Sequence, residues 1–356
     1  MQLAVIGVGL IGGSIALAAR ERLDAIVSGY DTSAAALRAA LERDALDHAC
    51  RSVAHAVAGA EAVFVAVPVG ALPAVVSEAL AAASSDCVVT DVGSTKRAIV
   101  SAIDDPRFVG GHPLAGAESA GVAHARADLF DGATWYLTPT STTGGILYER
   151  LHRLLRGLGA RPVALDPDTH DAILATVSHL PHVLANVLVA QAAEELEAGG
   201  ERLPATGPSF RDATRVAGAS SVIWTDIYLS NADALADGIE HAVAALRSVA
   251  DALSSRDADW LTAWNDAAAG DRRRLLEAQL AGGELFELRA SVPNRPGVVA
   301  ELALALGRAG VNITDMALYP APDMKEGVIA LWIAGDQAAL RAQELVAGLG
   351  FPVSRA

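Results

Sequence analysis

The chain has 356 residues, which predicts two or three domains, and its 27 Lys and Arg against 42 Asp and Glu give a formal charge of −15. An acidic chain without long basic runs is a poor partner for nucleic acid or for an anionic membrane surface, so we expect neither. Because 52% of the residues are hydrophobic and only Cys50 and Cys87 are cysteines, the composition excludes a disordered chain and a disulfide framework, and it favours a reducing, cytoplasmic setting.

The uncharged residues 1–19 imitate a targeting signal, but glycines interrupt them and no Lys or Arg precedes the apolar stretch. A second uncharged run, residues 62–77, is short and broken by Pro68 and Pro73. We therefore expect no membrane-spanning segment.

The first third of the chain alternates apolar runs with alanine-rich helical stretches. Strands are predicted at residues 2–6, 26–30, 62–67, 87–91 and 161–165, and helices at residues 12–20, 33–43 and 146–158. The strands at residues 62–67 and 87–91 are interpreted as continuously apolar, as in a parallel sheet buried on both faces. The alternation of strands with helices predicts a doubly wound α/β (Rossmann) domain over residues 1–166.

The strand pattern then disappears. Residues 167–282 carry long Ala, Leu and Val segments at helical spacing, most clearly at residues 179–197 and 232–253. An all-helical domain of this length usually buries part of its apolar surface against a second copy. We therefore expect a helical dimerisation domain and a homodimer.

Strands return in residues 283–356. The predicted order is strand 285–292, helix 298–309, strand 311–319, strand 327–334, helix 337–349 and strand 352–355. This βαββαβ order is that of a ferredoxin-like domain.

A glycine motif follows the first strand and opens the first helix: Gly7, Gly9, Leu10, Ile11 and Gly12 lie in a GxGxxG pattern. The first glycine permits a tight turn, the second permits close approach of a pyrophosphate, and the third permits close packing of helix on strand. The free amides at the helix N-terminus then favour phosphate. The motif predicts a dinucleotide site.

Asp31 ends the second strand, about twenty residues after the glycines. A carboxylate there accepts hydrogen bonds from both ribose hydroxyls and repels a 2′-phosphate, so NAD is favoured over NADP, although Asp31 would also suit a helix cap. Val67 and Pro68, at the carboxyl end of a further strand, are added to the predicted cofactor site.

Two loops are candidates for the chemistry. Ser94 and Thr95 follow the strand 87–91 and are alternatively caps of a helix that begins at Lys96. His112 lies between two glycines and a proline, so it belongs to a rigid loop and not to an apolar helix face.

These segments resemble the prephenate dehydrogenase family. The resemblance rests on GxGLIGGS, DVGSTK, GHPLAGxE, LFDG, WYLTP, SHLPH, FRDATRVA and WTDI, which occur in the family's order and cover residues 1 to about 280. It implies NAD-dependent oxidation and decarboxylation of prephenate, a dianion with a ring hydroxyl.

The resemblance lets the residues be assigned roles. Oxidation of the hydroxyl requires a base, and neutral imidazole suits that task near pH 7, so His112 is the candidate general base. By the resemblance, Ser94 hydrogen-bonds near the hydroxyl and nicotinamide, and Glu118 orders the pocket. Ala117 departs from the family, in which many members have a hydroxyl residue, and this removes a supporting hydrogen bond.

Substrate binding is assigned on the same basis. Arg215 matches the family's arginine for the ring carboxylate, and Arg211, one helical turn earlier, is a candidate for the pyruvyl end, although two arginines on a helix are ordinarily a solvated face. Ser178 and His179 line the cleft in the family. A metal on His179 and His182 is disfavoured because no third ligand has suitable spacing.

The last domain resembles the ACT regulatory domain. Its candidate effector-binding residues are Asn294, Gly297, Asn312 and Ile313, and the expected ligand is an aromatic amino acid, with tyrosine as the specific expectation. A dimerisation module without a ligand is the alternative.

Three other functions remain open. Arogenate is the nearest alternative substrate. A 3-hydroxyacid or phosphogluconate dehydrogenase would ordinarily use a lysine base in the helical domain, whereas Lys96 and Lys325 are the only lysines. A non-enzymatic NAD-sensing regulator would leave His112 and Arg215 unexplained.

Overall fold

A computed structural model describes residues 1–116, 120–198, 207–278, 285–321 and 325–355. The chain forms two compact units. The first comprises Met1–Leu174, Gly218–Ser230 and Leu285–Ala356, and the second comprises Ala175–Ala217 and Asn231–Glu284.

Within the first unit, residues 1–174 contribute eight strands to one sheet among the described residues. They are β1 (Gln2–Ile6), β2 (Ile26–Tyr30), β3 (His48–Ala49), β4 (Ala62–Val65), β5 (Val88–Asp91), β6 (Phe108–Pro113), β7 (Thr134–Thr138) and β8 (Arg161–Ala164). The helices between and after them are α1 (Leu10–Leu23), α2 (Ala34–Glu42), α3 (Val53–Val57), α4 (Leu72–Ala82), α5 (Arg97–Ala102), α6 (Gly145–Gly157) and α7 (Pro167–Leu174).

The strand order of this sheet is β3-β2-β1-β4-β5-β6-β7-β8. Strands β1 to β6 are parallel, β7 is antiparallel to β6, and β8 is parallel to β7. The order reverses between β1 and β4, and in doubly wound sheets ligands bind at the carboxyl ends of the strands beside such a reversal. The predicted Rossmann fold is confirmed.

The second unit is helical, as predicted. A π-helix (Ala175–His179) is followed by α8 (Leu180–Ala198), α9 (Pro208–Thr214) and a short 3₁₀ turn (Arg215–Gly218). After α10 (Ser221–Ser230), which groups with the first unit, come α11 (Ala232–Ser255) and α12 (Ala258–Ala278). The helix predicted from residue 179 therefore begins one residue later, because the π-helix precedes it.

The C-terminal segment has the predicted βαββαβ order. Its elements are β9 (Leu285–Pro293), α13 (Val298–Arg308), β10 (Ile313–Pro320), β11 (Glu326–Ala334), α14 (Asp336–Gly348) and β12 (Val353–Arg355). The strands form an antiparallel sheet in the order β10-β11-β9-β12. The domain boundaries at residues 166 and 282 stay predictions.

The C-terminal sheet packs against α6 and β8 inside the first unit. Ion pairs join Arg156 to Asp315 and Arg308 to Asp166. A Cβ atom on Gly307 of α13 would overlap the carbonyl oxygen of Ala164 in β8, so only glycine permits this close approach.

Among the described residues, one helical stretch, Pro167–Glu195, is long and apolar enough to cross a membrane by length and composition, with a mean hydropathy of 1.6 over 18 residues. Helices in the cores and interfaces of soluble proteins pass the same test, so a single such stretch is weak evidence.

Candidate active site

The glycine loop between β1 and α1 has the conformation that the motif predicts. Gly7 has φ +91°, and a Cβ atom there would overlap the Ala66 carbonyl oxygen, while one on Gly12 would overlap the Gly7 carbonyl oxygen. Apart from its neighbours along the chain, no described residue has an atom within 4 Å of the Cβ position of Gly9, so this side of the loop is open. Gly9 also caps α1 without a side-chain hydrogen bond, so the first amides of the helix are available to an anion.

Asp31 lies at the carboxyl end of β2, beside this loop. Its Oδ2 accepts a hydrogen bond from Val8 N at 2.8 Å, and its Oδ1 accepts one from Ser33 N at 2.7 Å. The carboxylate is therefore fixed against the glycine loop. Val67 and Pro68 follow β4, on the other side of the strand-order reversal.

A buried ion pair holds the loop after β5. Lys96 and Asp91 are both fully buried and form a salt bridge, and the Nζ atom of Lys96 also donates to the Gly111 carbonyl at 2.8 Å. The Asp91 carboxylate accepts further hydrogen bonds from Gly93 N at 2.8 Å and Gly111 N at 3.0 Å. Lys96 thus ties β5 to β6 and is committed to structure.

His112 lies near the carboxyl end of strand β6 and is 8% exposed. The predicted rigid loop is therefore wrong at this position, because His112 and its neighbours Gly111 and Pro113 pair with β7 as part of the sheet. Its Nδ1 atom is 2.9 Å from Nε2 of His170, and Nδ1 of His170 is 2.8 Å from Oδ1 of Asp171. His170 and Asp171 belong to α7 and are buried. The three side chains form a continuous hydrogen-bonded chain that ends at the candidate base.

Asp171 also caps α5, accepting hydrogen bonds from Lys96 N at 2.7 Å and Arg97 N at 3.0 Å. Burial by itself would raise the pKa of Asp171, but the hydrogen bonds from His170 and from these two amides lower it below its ordinary value. Burial lowers the pKa of His170, and the Asp171 carboxylate offsets this only in part. Behind His112, the hydrogen-bonded side chains are therefore an ionised Asp171 carboxylate and a neutral His170 imidazole.

The alternative interpretation of Ser94 and Thr95 as helix caps is wrong. Helix α5 begins at Arg97 and has no side-chain hydrogen bond from its N-cap, Lys96. Thr95 Oγ1 instead lies 2.9 Å from Ser230 Oγ in α10. Ser94 is half-buried in the loop after β5, at the same edge of the sheet as His112. Glu118 and Ala117 lie outside the described residues.

In the second unit, Ser178 and His179 lie in the π-helix, an element that often occurs at functional sites. His179 is 1% exposed, and its Nδ1 is 3.2 Å from Nδ2 of Asn231. His182 Nδ1 is likewise 3.2 Å from Nδ2 of Asn186. No group of three His, Cys, Asp or Glu in the described parts of the chain could hold a metal ion.

Arg211 and Arg215 are both exposed on the second unit. Arg211 belongs to α9, but Arg215 begins the 3₁₀ turn that follows this helix. The two arginines are therefore not on one continuous α-helix. Arg215 keeps right-handed helical angles, φ −52° and ψ −38°, so the backbone continues to turn without a break.

The four candidate effector-binding residues of the C-terminal segment do not line one common cavity. A cavity of about 220 Å³ lies between the N-terminus of α6 and the loop from β9 to α13, and of the four candidates only Asn294 lines it. Gly297 has φ +81° and packs against the Ser141 backbone, Ile313 is buried in β10, and Asn312 is exposed.

Sequence reasoning missed His170 and Asp171, and it read Lys96 only as a helix start. The short helix PDTHDAIL is half polar, so its sequence does not mark His170 and Asp171 as buried. The partner of His170, His112, is 58 residues away, and periodicity carries no information about such a contact.

The comparisons with known proteins agree on one family. Residues 15–164 match the family described as prephenate dehydrogenase, nucleotide-binding domain, and residues 166–266 match prephenate dehydrogenase, dimerization domain.

Two relatives and one solved structure illustrate the similarity. The prephenate dehydrogenase of Bacillus subtilis is 33% identical over 96% of this chain and 94% of its own length. The cyclohexadienyl dehydrogenase of Zymomonas mobilis is 34% identical over 73% of this chain and 91% of its own. The crystal structure of prephenate dehydrogenase from Aquifex aeolicus, in complex with hydroxyphenyl propionate and NAD⁺, superimposes with a TM-score of 0.71 at 26% identity, covering 77% of this chain and 98% of that one.

Proposed function

The chain belongs to the prephenate dehydrogenase family, and we propose that it oxidises and decarboxylates prephenate to 4-hydroxyphenylpyruvate with NAD, using His112 as the general base. The observation that carries this proposal is the position of His112. It lies at the carboxyl end of β6, the edge of the sheet at which doubly wound folds bind their ligands, and its ring is held by His170.

The first unit fits NAD. Gly9 leaves the loop open where a pyrophosphate would approach, the amides at the start of α1 would hold the phosphates, and Asp31 would accept the ribose hydroxyls. When bound, NAD accepts the hydride from the substrate carbon. Leu10, Ile11, Val67 and Pro68 stay proposed contacts of the same site.

The proton has a balanced path through His112. Its Nε2 takes the proton of the ring hydroxyl as hydride leaves the same carbon, which gives a ketone. The ring carboxylate then departs as CO₂, its electron pair makes the ring aromatic, and the ketone oxygen becomes a phenolate. The His112 imidazolium returns the proton to that oxygen, so the base is regenerated.

Substrate contacts are proposed from the second unit and from the loop after β5. Arg215 would bind the ring carboxylate through its planar guanidinium, and Arg211 the pyruvyl end. Ser178 and His179 would line the cleft, and Ser94 would hydrogen-bond near the hydroxyl. Glu118 completes the proposed set from the sequence alone.

The test is NADH formation with prephenate and with arogenate at matched concentrations. We expect turnover of prephenate. If neither prephenate nor arogenate is turned over, the proposal is contradicted. Arogenate is the second candidate because one relative is a cyclohexadienyl dehydrogenase. A higher kcat/KM with arogenate would establish that alternative.

We further propose that the C-terminal segment is an ACT domain that binds tyrosine as an inhibitor. The cavity beside α6 supports this, since apolar Val292, Val299 and Leu318 line it together with polar Asn294 and Glu326. An amino acid with an apolar body presents both a carboxylate and an ammonium group, which the amide and the carboxylate could bind. The occupant would touch both α6 and the C-terminal domain.

Point variants test this better than truncation, because removal of the C-terminal domain would expose α6 and β8. Glu326→Gln should weaken tyrosine inhibition, whereas Glu344→Gln, the same change at another exposed glutamate, on α14, should not. Inhibition that is purely competitive with prephenate and identical in both variants would contradict the regulatory proposal, because tyrosine would then act at the catalytic cleft.

A homodimer is also proposed. The second unit leaves large apolar side chains exposed, including Val187, Leu246 and Leu253, which are 53%, 62% and 60% exposed. Such surfaces usually mark interfaces, and this region matches the family's dimerization domain. Sedimentation should give twice the 36.5 kDa chain mass, and a monomer at micromolar concentration would contradict the proposal.

A further inference from the structure

The chain from Asp171 through His170 to His112 determines which nitrogen of His112 carries a proton. Asp171 is ionised, and its two oxygens already accept hydrogen bonds from the Lys96 and Arg97 amides. A carboxylate can only accept, so Nδ1 of His170 must donate to it across the 2.8 Å contact.

The consequence passes to the next ring. In neutral His170 with a proton on Nδ1, the Nε2 atom has a lone pair and no proton, so it can only accept. Nδ1 of His112, 2.9 Å away, must therefore be the donor. Neutral His112 then has its lone pair on Nε2. This is the reverse of the tautomer that an imidazole side chain prefers in water, which carries its proton on Nε2.

We propose that His170 is a positioning residue for the general base, an inference that rests on the proposed function. His170 is held by Asp171 and accepts the Nδ1 proton of His112, so Nε2 of His112 carries no proton and is basic. When Nε2 takes the proton of the substrate hydroxyl, His112 becomes an imidazolium. The lone pair of His170 continues to accept the Nδ1 proton and stabilises that cation.

The groups around His170 agree with a neutral ring. The positive charge of Lys96, from the loop before α5, lowers the pKa of His170, whereas Asp171 on α7 and Asp91 on β5 raise it. The Tyr136 ring on β7 lies edge-on with its centroid 5.6 Å from that of His170. Burial exceeds these contributions and favours the uncharged form.

The tautomer can be measured directly. With ¹⁵N-labelled histidine rings, the His112 signals are those lost in His112→Asn among the nine histidines. We expect the wild-type protein to show a proton on Nδ1 of neutral His112. A proton on Nε2 instead would overturn the inference. Because this measurement needs no turnover, it decides the point even if the enzyme does not act on prephenate.

Two variants of His170 provide the kinetic test. His170→Phe keeps a ring but removes both hydrogen bonds, so kcat should fall about 10- to 100-fold, part of the about 10²–10⁴-fold that a positioned base supplies. KM values for prephenate and NAD should change little. The acid limb of the kcat/KM profile should move to lower pH, since the His112 imidazolium loses its acceptor.

His170→Gln is the conservative variant, because its amide can donate to Asp171 and accept from His112. It should recover part of kcat and return the acid limb toward the wild-type position. An unchanged pH profile in folded, NAD-binding His170→Phe would overturn the inference, as would equal losses in both variants. If His170→Phe does not fold, the ring measurement on the wild-type protein decides the question alone.

Discussion

Acidification should destabilise the junction between α6 and the C-terminal sheet, because His152 is buried there. The side chain is 1% exposed, and burial lowers its pKa to about 4, with Arg156 adding to this and Asp315 opposing it. In the unfolded chain the pKa returns to 6.5. The unfolded state therefore binds more protons between these values, and stability is lost as pH falls from about 6.5 to about 4.

The magnitude follows from the difference of about 2.5 units at about 1.4 kcal/mol each, which allows a loss of about 3 kcal/mol between pH 7 and pH 4. At pH 5.5 about 1 kcal/mol should already be lost. This is a substantial part of a typical domain stability of about 5–15 kcal/mol.

The assay is the free energy of unfolding from denaturant titrations at pH 7, 5.5 and 4, which lie on both sides of the isoelectric point near 5.0. His152→Leu cannot be protonated, so its stability relative to the wild type should rise by about 3 kcal/mol across this range. His55→Leu, the same substitution at an exposed histidine, is the matched control, and other titrating groups cancel in the comparison. Parallel pH dependence in wild type and His152→Leu would refute the reasoning.

Three further predictions concern the catalytic machinery. The wild type should have a much higher kcat/KM with NAD than with NADP. Asp31→Ala should reduce this preference for NAD and raise KM for NAD, because Asp31 also accepts the hydrogen bond from Val8 N. A wild-type preference for NADP would contradict the role of Asp31. His112→Asn should lower kcat by about 10²–10⁴-fold with prephenate binding largely retained, and near-normal turnover would remove His112 as the base. Arg215→Lys keeps the charge but loses the planar guanidinium, which can bind a carboxylate through two hydrogen bonds, so KM for prephenate should rise more than kcat falls. An unchanged KM would indicate that Arg215 is an ordinary solvated side chain that does not bind the substrate.

The elements that depend on local pattern could be predicted from the sequence. The glycine loop, the first strands and the βαββαβ order at the C-terminus follow from periodicity and from backbone conformations that only glycine adopts, as at Gly7. His112 was identified because its segment carries a family motif, although this segment is a strand and not the predicted loop. These features need only neighbouring residues to specify them.

The features that depend on distant contacts could not be predicted. Helix α5 is capped by Asp171, about 75 residues along the chain, although Ser94 and Thr95 lie beside its start. The π-helix before α8 likewise left no pattern, because its residues read as an ordinary helical start. Local propensity favoured the hydroxyl groups of Ser94 and Thr95 as the cap. In the folded protein the cap is the Asp171 carboxylate, which also accepts a hydrogen bond from His170.

The chain has a net charge of −15, yet the acidic side chains at the edge of the sheet around His112 are compensated. Asp91 is neutralised by Lys96 and two backbone amides, and Asp171 by two amides and the His170 ring. Neither carboxylate therefore presents an uncompensated negative charge beside His112, although both are buried, where such a charge would act most strongly. In the proposed mechanism these acidic residues set the position and tautomer of His112, and the cations that attract the dianionic substrate come from elsewhere, which is the role proposed for Arg211 and Arg215.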